Sequence, residues 1–183
     1  MCHMDELEPP LLANERVVLR GWRQEDAAAL GPACGDRDIC RFTTVPHRYT
    51  LEAAQAWIAR QHTHAHNRTA VVWALVPREH EQPVGMVGLF GLGDPEPTVR
   101  FGYWLVSGWR GRGLATAATT LVAEWAFAEL KLGAIHIDRE PVNQSSARVA
   151  DRLGAEVAGP LVRSYQGTEL ELIRHTLSAP SHQ

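Results

Sequence analysis

Shortages narrow this chain before any motif does. Cysteine is scarce: three residues, Cys2, Cys34 and Cys40, an odd number with no C-x-x-C pair and no metal-ligand spacing. That excludes a disulfide framework and a zinc site, and a reducing interior is the expectation. Long hydrophobic runs are missing as well. The longest purely apolar stretches, such as 71–76, fall far short of the roughly 18 residues a membrane span needs. The opening MCHMDELEPP lacks the charged-then-apolar order of a signal peptide, so a cytoplasmic location is expected. Neither sign of charge is in excess: 18 Lys+Arg against 21 Asp+Glu give a net charge of -3. No basic field draws nucleic acid or anionic membrane to such a surface. Repeats, low-complexity tracts and linker-like composition shifts are absent too. What remains is a chain of 183 residues, 45% hydrophobic and 21% charged, the balance of a soluble globular protein. One domain of that size buries about 70% of its unfolded surface and needs no covalent or metal staple. A single domain spanning 1–183 is the expectation.

Periodicity divides the chain into elements. Residues 16–23 (RVVLRGWR) alternate as a half-buried strand does. Asp26 before AAALGPAC reads as the N-cap of a short helix that Gly31 and Pro32 curtail. Thr50 opens a helix to residue 66, whose Leu51, Ala54, Trp57, Ile58 and Gln61 share one face. The next stretch changes period. Residues 70–76, 84–90 and 99–106 are β-rich and separated by turn residues, which predicts an antiparallel meander. A helix follows over 113–132, with Leu114, Ala118, Leu121, Val122 and Trp125 in its apolar stripe and Gly133 as its stop. A strand at 134–138, a helix at 145–153 ended by Gly154, and two strands between 155 and 177 complete a mixed α/β domain.

Chemistry concentrates in VRFGYWLVSGWRGRGLATAATT, residues 99–120. A strand runs through a turn bearing Gly111 and Gly113 into a long helix. Glycine lets backbone approach a ligand closely, and the first N–H groups of a helix are unpaired and carry positive partial charge. That arrangement suits phosphate, although an ordinary flexible connection has the same composition. The P-loop pattern G-x-x-x-x-G-K-[ST] and the dinucleotide pattern G-x-G-x-x-G are both absent.

Two motifs carry a resemblance. RGRGLA, 110–115, resembles the Q/R-x-x-G-x-G/A pyrophosphate motif of the GNAT superfamily of acyl-CoA-dependent N-acyltransferases. NQSSARVADRLGA, from Asn143, is similar to the N-x-x-S-x-x-V-A-x-x-L-G signature of that superfamily's Rim-type ribosomal-protein N-acetyltransferases. RVVLRGWRQEDAAAL, DICRFTTVPHRYTLEAAQAWI and GPLVRSYQGTELELIRHTL resemble the subgroup's first strand and helix, second helical region and closing hairpin, so the likeness runs from about 12 to 177. It implies a mixed, mostly antiparallel central sheet flanked by helices, whose fourth and fifth strands splay around acyl-CoA. Trp104 and Leu105 would pair through their backbone with the pantetheine arm, and a backbone N–H near Leu105 would polarise the thioester. Arg110, Gly111, Arg112, Gly113, Leu114 and Ala115 would bind the pyrophosphate. Asn143 would hold the cofactor, and Ser146 would meet the sulfur leaving group.

Two positions depart from the family pattern. Where many members carry a Glu general base stands Arg100, and where other branches carry a Tyr general acid stands Ala150. Without that Glu, a weakly basic acceptor is easier. An α-amine, with a pKa of about 8, is about a tenth neutral near pH 7, against far less for a lysine side chain at about 10.4. Asp94, Glu96 or His136 could receive the proton through water. The expected activity is therefore acetyl transfer from acetyl-CoA to a peptide or protein N-terminal α-amine or a small amine, without metal, nucleic acid or membrane; a homodimer is an assembly the reading allows. Transfer from succinyl-CoA or another acyl-CoA, with Arg100 beside the acyl pocket, and a non-catalytic acyl-CoA sensor are the alternatives. His62, His64 and His66 read as a solvated helix end, Trp57 and Trp125 as core, and Cys34 and Cys40 as small buried residues. Trp109 either shelters the cofactor or packs, and the Ser146 hydroxyl either serves the site or bonds its own helix.

Overall fold

Alternate residues of the central strands feed two different cores, as a sheet covered on both faces requires. In β3 (Ala70–Pro77), Val71, Trp73 and Leu75 point to one core while Ala70, Val72 and Ala74 point to the other. This computed structural model describes residues 7–43, 45–94, 98–165 and 167–180. Its strands are β1 (Leu12–Ala13), β2 (Val17–Gly21), β3, β4 (Gly85–Phe90), β5 (Arg100–Leu105), β6 (Ala134–Arg139), β7 (Glu156–Tyr165) and β8 (Thr168–Ser178). They form one sheet in the order β1-β2-β3-β4-β5-β6-β8-β7. Every neighbouring pair is antiparallel except β5 with β6. The mixed, mostly antiparallel sheet is the one expected, with β1 as an extra short edge.

The first core lies under α4 (Leu114–Glu129) and α5 (Gln144–Leu153), where Leu114, Ala118, Val122 and Ala126 meet Leu19, Trp73, Val87, Ile135 and Ile137. Trp125 meets Trp73 edge-on with ring centres 5.2 Å apart. The second core lies under α3 (Leu51–His66), where Trp57 and Ile58 cover Trp22, Val72, Met86 and Trp104. The Trp22 and Trp57 rings meet edge-on at 5.1 Å, a favoured aromatic geometry.

Several local expectations need correction. Asp26 is not an N-cap. It lies inside a 3₁₀ helix (Gln24–Leu30), accepts the Arg23 N–H at 2.8 Å, and is nearly buried against Arg20 at 2.7 Å. Gly31 and Pro32 do not end the helical path, because Pro fits the first turn of α1 (Gly31–Cys34), where its missing N–H is not needed. A further helix, α2 (Arg37–Phe42), is capped by Asp36 through the N–H groups of Asp38 and Ile39. Thr50 caps α3 as expected, but Leu51 points to solvent at 55% exposure. It lies in the first turn, ahead of the part that crosses the sheet. Helix α4 stops before Gly133, since Lys131 takes the left-handed conformation with φ 54°. Gly154 does end α5, with φ 74°.

The one parallel neighbour pair positions the site. β5, α4 and β6 make a crossover unit, as parallel strands demand. Arg100 and His136 are the only registered pair between the two strands, closed by the His136 N–H on the Val99 carbonyl at 2.9 Å. β6 pairs with β8 along its whole length on its other edge, so past this single bridge β5 and β6 part into a wedge.

Candidate active site

Strand alternation decides which backbone groups face this wedge. Val99 gives its carbonyl to β6, whereas Val106 gives its N–H to Val84, on the opposite edge. In an antiparallel pair, main-chain groups of alternate residues point to opposite edges. Trp104, two residues from Val106, therefore pairs with Met86, while Tyr103 and Leu105, past the single bridge to β6, turn their main-chain groups into the wedge. Of the two residues expected to pair with pantetheine, Leu105 faces it. Trp104 instead contributes its buried indole to the α3 core, where its Nε1 has no partner among the described residues.

At the outer end of the wedge, Gly111 and Gly113 have φ values of 77° and 76°, which glycine adopts freely. Gly113 is the N-cap of α4, and no side chain caps the helix. The N–H groups of Leu114, Ala115 and Thr116 thus stand at a helix start with its positive partial charge, ready for an anion. The arginines of this turn serve mainly to hold it. Arg110 donates from Nε to the Leu105 carbonyl at 2.8 Å and from Nη2 to Asp36 at 2.6 Å, so its charge is directed to α2. The Arg110 N–H itself bonds the Ser107 carbonyl. Arg112 bonds the Gly108 carbonyl at 3.0 Å and lies over the Trp109 ring at 4.5 Å. Trp109 is partly buried against the first core and also meets His80. Arg16, which motif spacing does not reveal, bonds the Arg112 carbonyl at 2.9 Å from β2's side.

The inner wall is built by α5. Asn143 is its N-cap: Oδ1 accepts from the Ser146 N–H at 3.1 Å and from the Ser145 hydroxyl at 2.9 Å. Only its Nδ2 group is left for another partner. Ser146, 8% exposed, does not bond its own helix through the hydroxyl. It meets the Tyr103 hydroxyl at 2.7 Å, a contact between β5 and the first turn of α5. Burial pushes the Tyr103 phenol up to about 12, against the opposing hydrogen bond from Ser146, so it keeps its proton at neutral pH. Sequence reasoning missed Tyr103. Its signal was the GYWL strand itself, where position 103 shares the inward parity of Leu105.

The opposite face of the wedge apex is polar. Pairing places Arg100 beside His136, and His136 beside Thr176. His136 Nδ1 and the Thr176 hydroxyl are 3.0 Å apart. Burial, and then the charge of Arg174, lower the His136 pKa and keep the imidazole neutral near pH 7. Asp138 is bound by Arg174 at 2.7 and 2.8 Å and by Arg163 at 3.0 Å. Burial would raise its carboxyl, but these guanidinium groups outweigh that and hold it below the ordinary carboxylate range. It is a poor proton acceptor. Asp94 is exposed, and Glu96 lies outside the described residues.

Other candidates resolve without chemistry. His62 reaches the Trp22 carbonyl and His64 the Thr69 hydroxyl, so the histidines of α3 do not converge. Among the described residues no three metal-ligating side chains come together. Cys34 and Cys40 are buried, and burial raises both thiols away from the reactive thiolate.

An open sheet edge beside an uncapped helix start, with a hydroxyl pair between them, invites comparison with known acyltransferases. The family profile described as "Acetyltransferase (GNAT) domain" matches residues 16–156. The chain belongs to the GNAT acetyltransferase family. Over 153 residues it is 22% identical to the uncharacterized N-acetyltransferase YoaA of Bacillus subtilis, covering 83% of this chain and 86% of that protein. RimJ of Mycobacterium smegmatis, solved in complex with CoA-disulfide, superposes with a TM-score of 0.80 at 21% identity, covering 96% of this chain and 90% of that one. The microcin C7 self-immunity acetyltransferase MccE, in complex with acetyl-CoA and AMP, gives a TM-score of 0.78 at 17% identity, covering 90% and 93%. The GNAT fold and the Rim-type neighbours agree with the resemblance carried by RGRGLA and N-x-x-S. No helix among the described residues is long and apolar enough to cross a membrane.

Proposed function

We propose that this GNAT protein transfers an acetyl group from acetyl-CoA to a primary amine, with an α-amine favoured over a lysine side chain. The observation that carries the reading is the wedge, one edge of which offers the main-chain groups of Tyr103 and the N–H of Leu105 beyond the single β6 bridge at Arg100. Pantetheine would pair along that edge as an added strand, its pyrophosphate at Gly111 to Ala115 and its amides near the Nδ2 of Asn143. The sulfur then lies beside Ser146, and the N–H groups of Tyr103 and Leu105 flank the thioester carbonyl as oxyanion donors.

The residues supply proton handling suited to an easy acceptor. The amine attacks the carbonyl carbon, the C–N bond forms, and its proton passes to the neutral His136, directly or through one water. The C–S bond then breaks while the Ser146 hydroxyl donates a hydrogen bond to the departing sulfur, and the thiolate takes up the released proton. Tyr103 donates to the Ser146 oxygen, which aims the serine proton at the sulfur. A thiol pKa of about 8.5 makes the thiolate a fair leaving group, so a strong acid is unnecessary.

Thiol release from acetyl-CoA tests this with a panel of amines: peptides starting with Ser or Ala, lysine side-chain analogues, polyamines and aminoglycosides. Fastest turnover on α-amines is expected. Coenzyme A binding with no thiol release on any amine would instead establish a sensor, and release only from succinyl-CoA would reassign the acyl group.

A further inference from the structure

The polar face at the wedge apex is not needed to bind acyl-CoA, and its charges are unevenly matched. Along β6, His136 and Asp138 face away from Ile135 and Ile137, which are buried under α4 and α5. Pairing brings Arg100 of β5 and Arg174 of β8 to that same face, and Arg163 of β7 reaches Asp138 across it. Three guanidinium groups thus gather around one buried carboxylate. Both oxygens of Asp138 are already engaged, Oδ1 by Arg174 and Oδ2 by Arg174 and Arg163. Arg100 has no ion pair among the described residues. Its Nη1 donates to the carbonyl of Thr98 at 3.0 Å, and the rest of its five N–H donors have no partner among the described residues. The exposed Asp94 is nearby but makes no ion pair with it.

We propose that Arg100, backed by Arg163, forms an anion subsite that takes a carboxylate carried by the acceptor close to its reacting amine. This deepens the acetyltransferase reading above and rests on it. Arg100 is the last β5 residue in register with β6, so its side chain stands beside the point where the thioester would end. An acceptor whose amine attacks there and which also bears a carboxylate satisfies the free guanidinium donors, in the planar two-point geometry arginine favours. The same charges disfavour an ammonium at the apex and so help keep the attacking amine neutral. Polycations are repelled. The acceptor class is therefore an α-amine with an acidic neighbour, such as a peptide whose first or second residue is Asp or Glu, and not a polyamine or aminoglycoside.

Matched acceptors read the subsite. Peptide amides starting Ser-Asp and Ser-Asn differ only in the carboxylate, and KM for the acidic peptide is expected to be about tenfold lower, within the strength of a charged hydrogen bond. Arg100→Gln should erase that difference, bringing KM for the two peptides to the same value, and Arg163→Gln should reduce it. Raised salt should narrow the gap in the parent protein. Equal KM for the two peptides in the parent, or a preference that survives Arg100→Gln, overturns the proposal. A charge preference that follows the acyl donor, succinyl-CoA over acetyl-CoA, and is lost in Arg100→Gln also overturns it, by placing the anion on the acyl group. Should no amine be acetylated, the acetyltransferase reading fails on its own. Calorimetric binding of the same two peptides to the coenzyme A-loaded protein still tests the subsite: tighter Ser-Asp binding supports it, and equal binding refutes it.

Discussion

The Tyr103–Ser146 contact gives the sharpest quantitative test, since the two hydroxyls lie 2.7 Å apart and neither has another side-chain partner among the described residues. Ser146→Ala removes the group that meets the sulfur and leaves the Tyr103 hydroxyl buried without its partner. The orphaned phenol costs about 1–3 kcal/mol of stability. The lost hydrogen bond in the transition state should lower kcat by about 10- to 100-fold, at or below the weak end of general-acid effects, or about 1.4–2.7 kcal/mol of barrier. Tyr103→Phe keeps the ring packed beside Phe101 and Leu105 and frees the serine hydroxyl to rotate toward its own helix carbonyls. A smaller loss of about 3- to 10-fold is expected, matching one ordinary hydrogen bond of about 0.5–1.5 kcal/mol. Because the tyrosine acts only through the serine, the double variant should resemble Ser146→Ala, not the product of the two single effects. Thiol release at saturating acetyl-CoA measures kcat, and calorimetry checks that coenzyme A affinity is unchanged. Full kcat in Ser146→Ala, or strict multiplication of the two effects, would refute the reasoning and leave proton delivery to water.

Three further outcomes follow from the same geometry. Gly113→Glu puts a side chain where φ is 76°, sets its Cβ 2.9 Å from the Arg16 guanidinium, and brings a negative charge beside the helix start, so calorimetry should find coenzyme A binding abolished without any metal present. His136 faces Arg100 of β5, Asp138 of β6, Arg163 of β7, and Arg174 and Thr176 of β8; its lowered pKa means the base loses its neutral form only below about pH 6.5, so kcat/KM expressed per neutral amine should hold across pH 7 and fall on the acid side, a limb that His136→Asn removes. Tyr103 is one of three tyrosines, and phenolate absorbance should show one group titrating near pH 12 that Tyr103→Phe deletes; with its folded pKa above the ordinary value of about 10, its contribution to stability is complete below pH 10 and is lost as pH rises toward 12.

Local signals carried most of the fold. Short β-rich runs between turn residues marked β3, β4 and β5, Thr50 and Gly154 marked helix ends, and the glycines at 111 and 113 take the left-handed conformation that opens α4. Errors arose where tertiary contacts outvote a local rule. Asp26 has the right chemistry for an N-cap, but the Arg20 guanidinium draws it into the helix's first turn and buries it there. Lys131 takes a conformation expected of Gly133, with Leu130 and Leu132 on either side of it still packed against the first core. In the site, motifs located the segments but not the directions of side chains. Arg110 sits in the pyrophosphate motif, yet its charge is spent on Asp36, 74 positions away. Tyr103 and Ser146 are 43 positions apart, and only the wedge joins them.

The short helix α2 explains why both sides of the wedge hold together without direct pairing. Its N-cap, Asp36, binds Arg110, which in turn holds the Leu105 carbonyl at the outer end of β5. Near its other end Arg41 binds Glu140 at 2.7 Å, in the turn that leads from β6 to Asn143 and α5. Six residues thus brace the cofactor loop on one side and the Ser146 helix on the other. The two bridges are unequal. Glu140 is 9% exposed and keeps one carboxylate oxygen unpartnered, so removing Arg41 strands a nearly buried charge. Asp36 also binds two backbone N–H groups of α2, and these with Arg110 hold its carboxyl below the ordinary value against the raising effect of burial. Its contribution is present above about pH 4 and is lost as pH falls below that. The Glu140 side of the wedge is therefore the one whose position depends most on a single arginine, and it is also the side that carries Ser146.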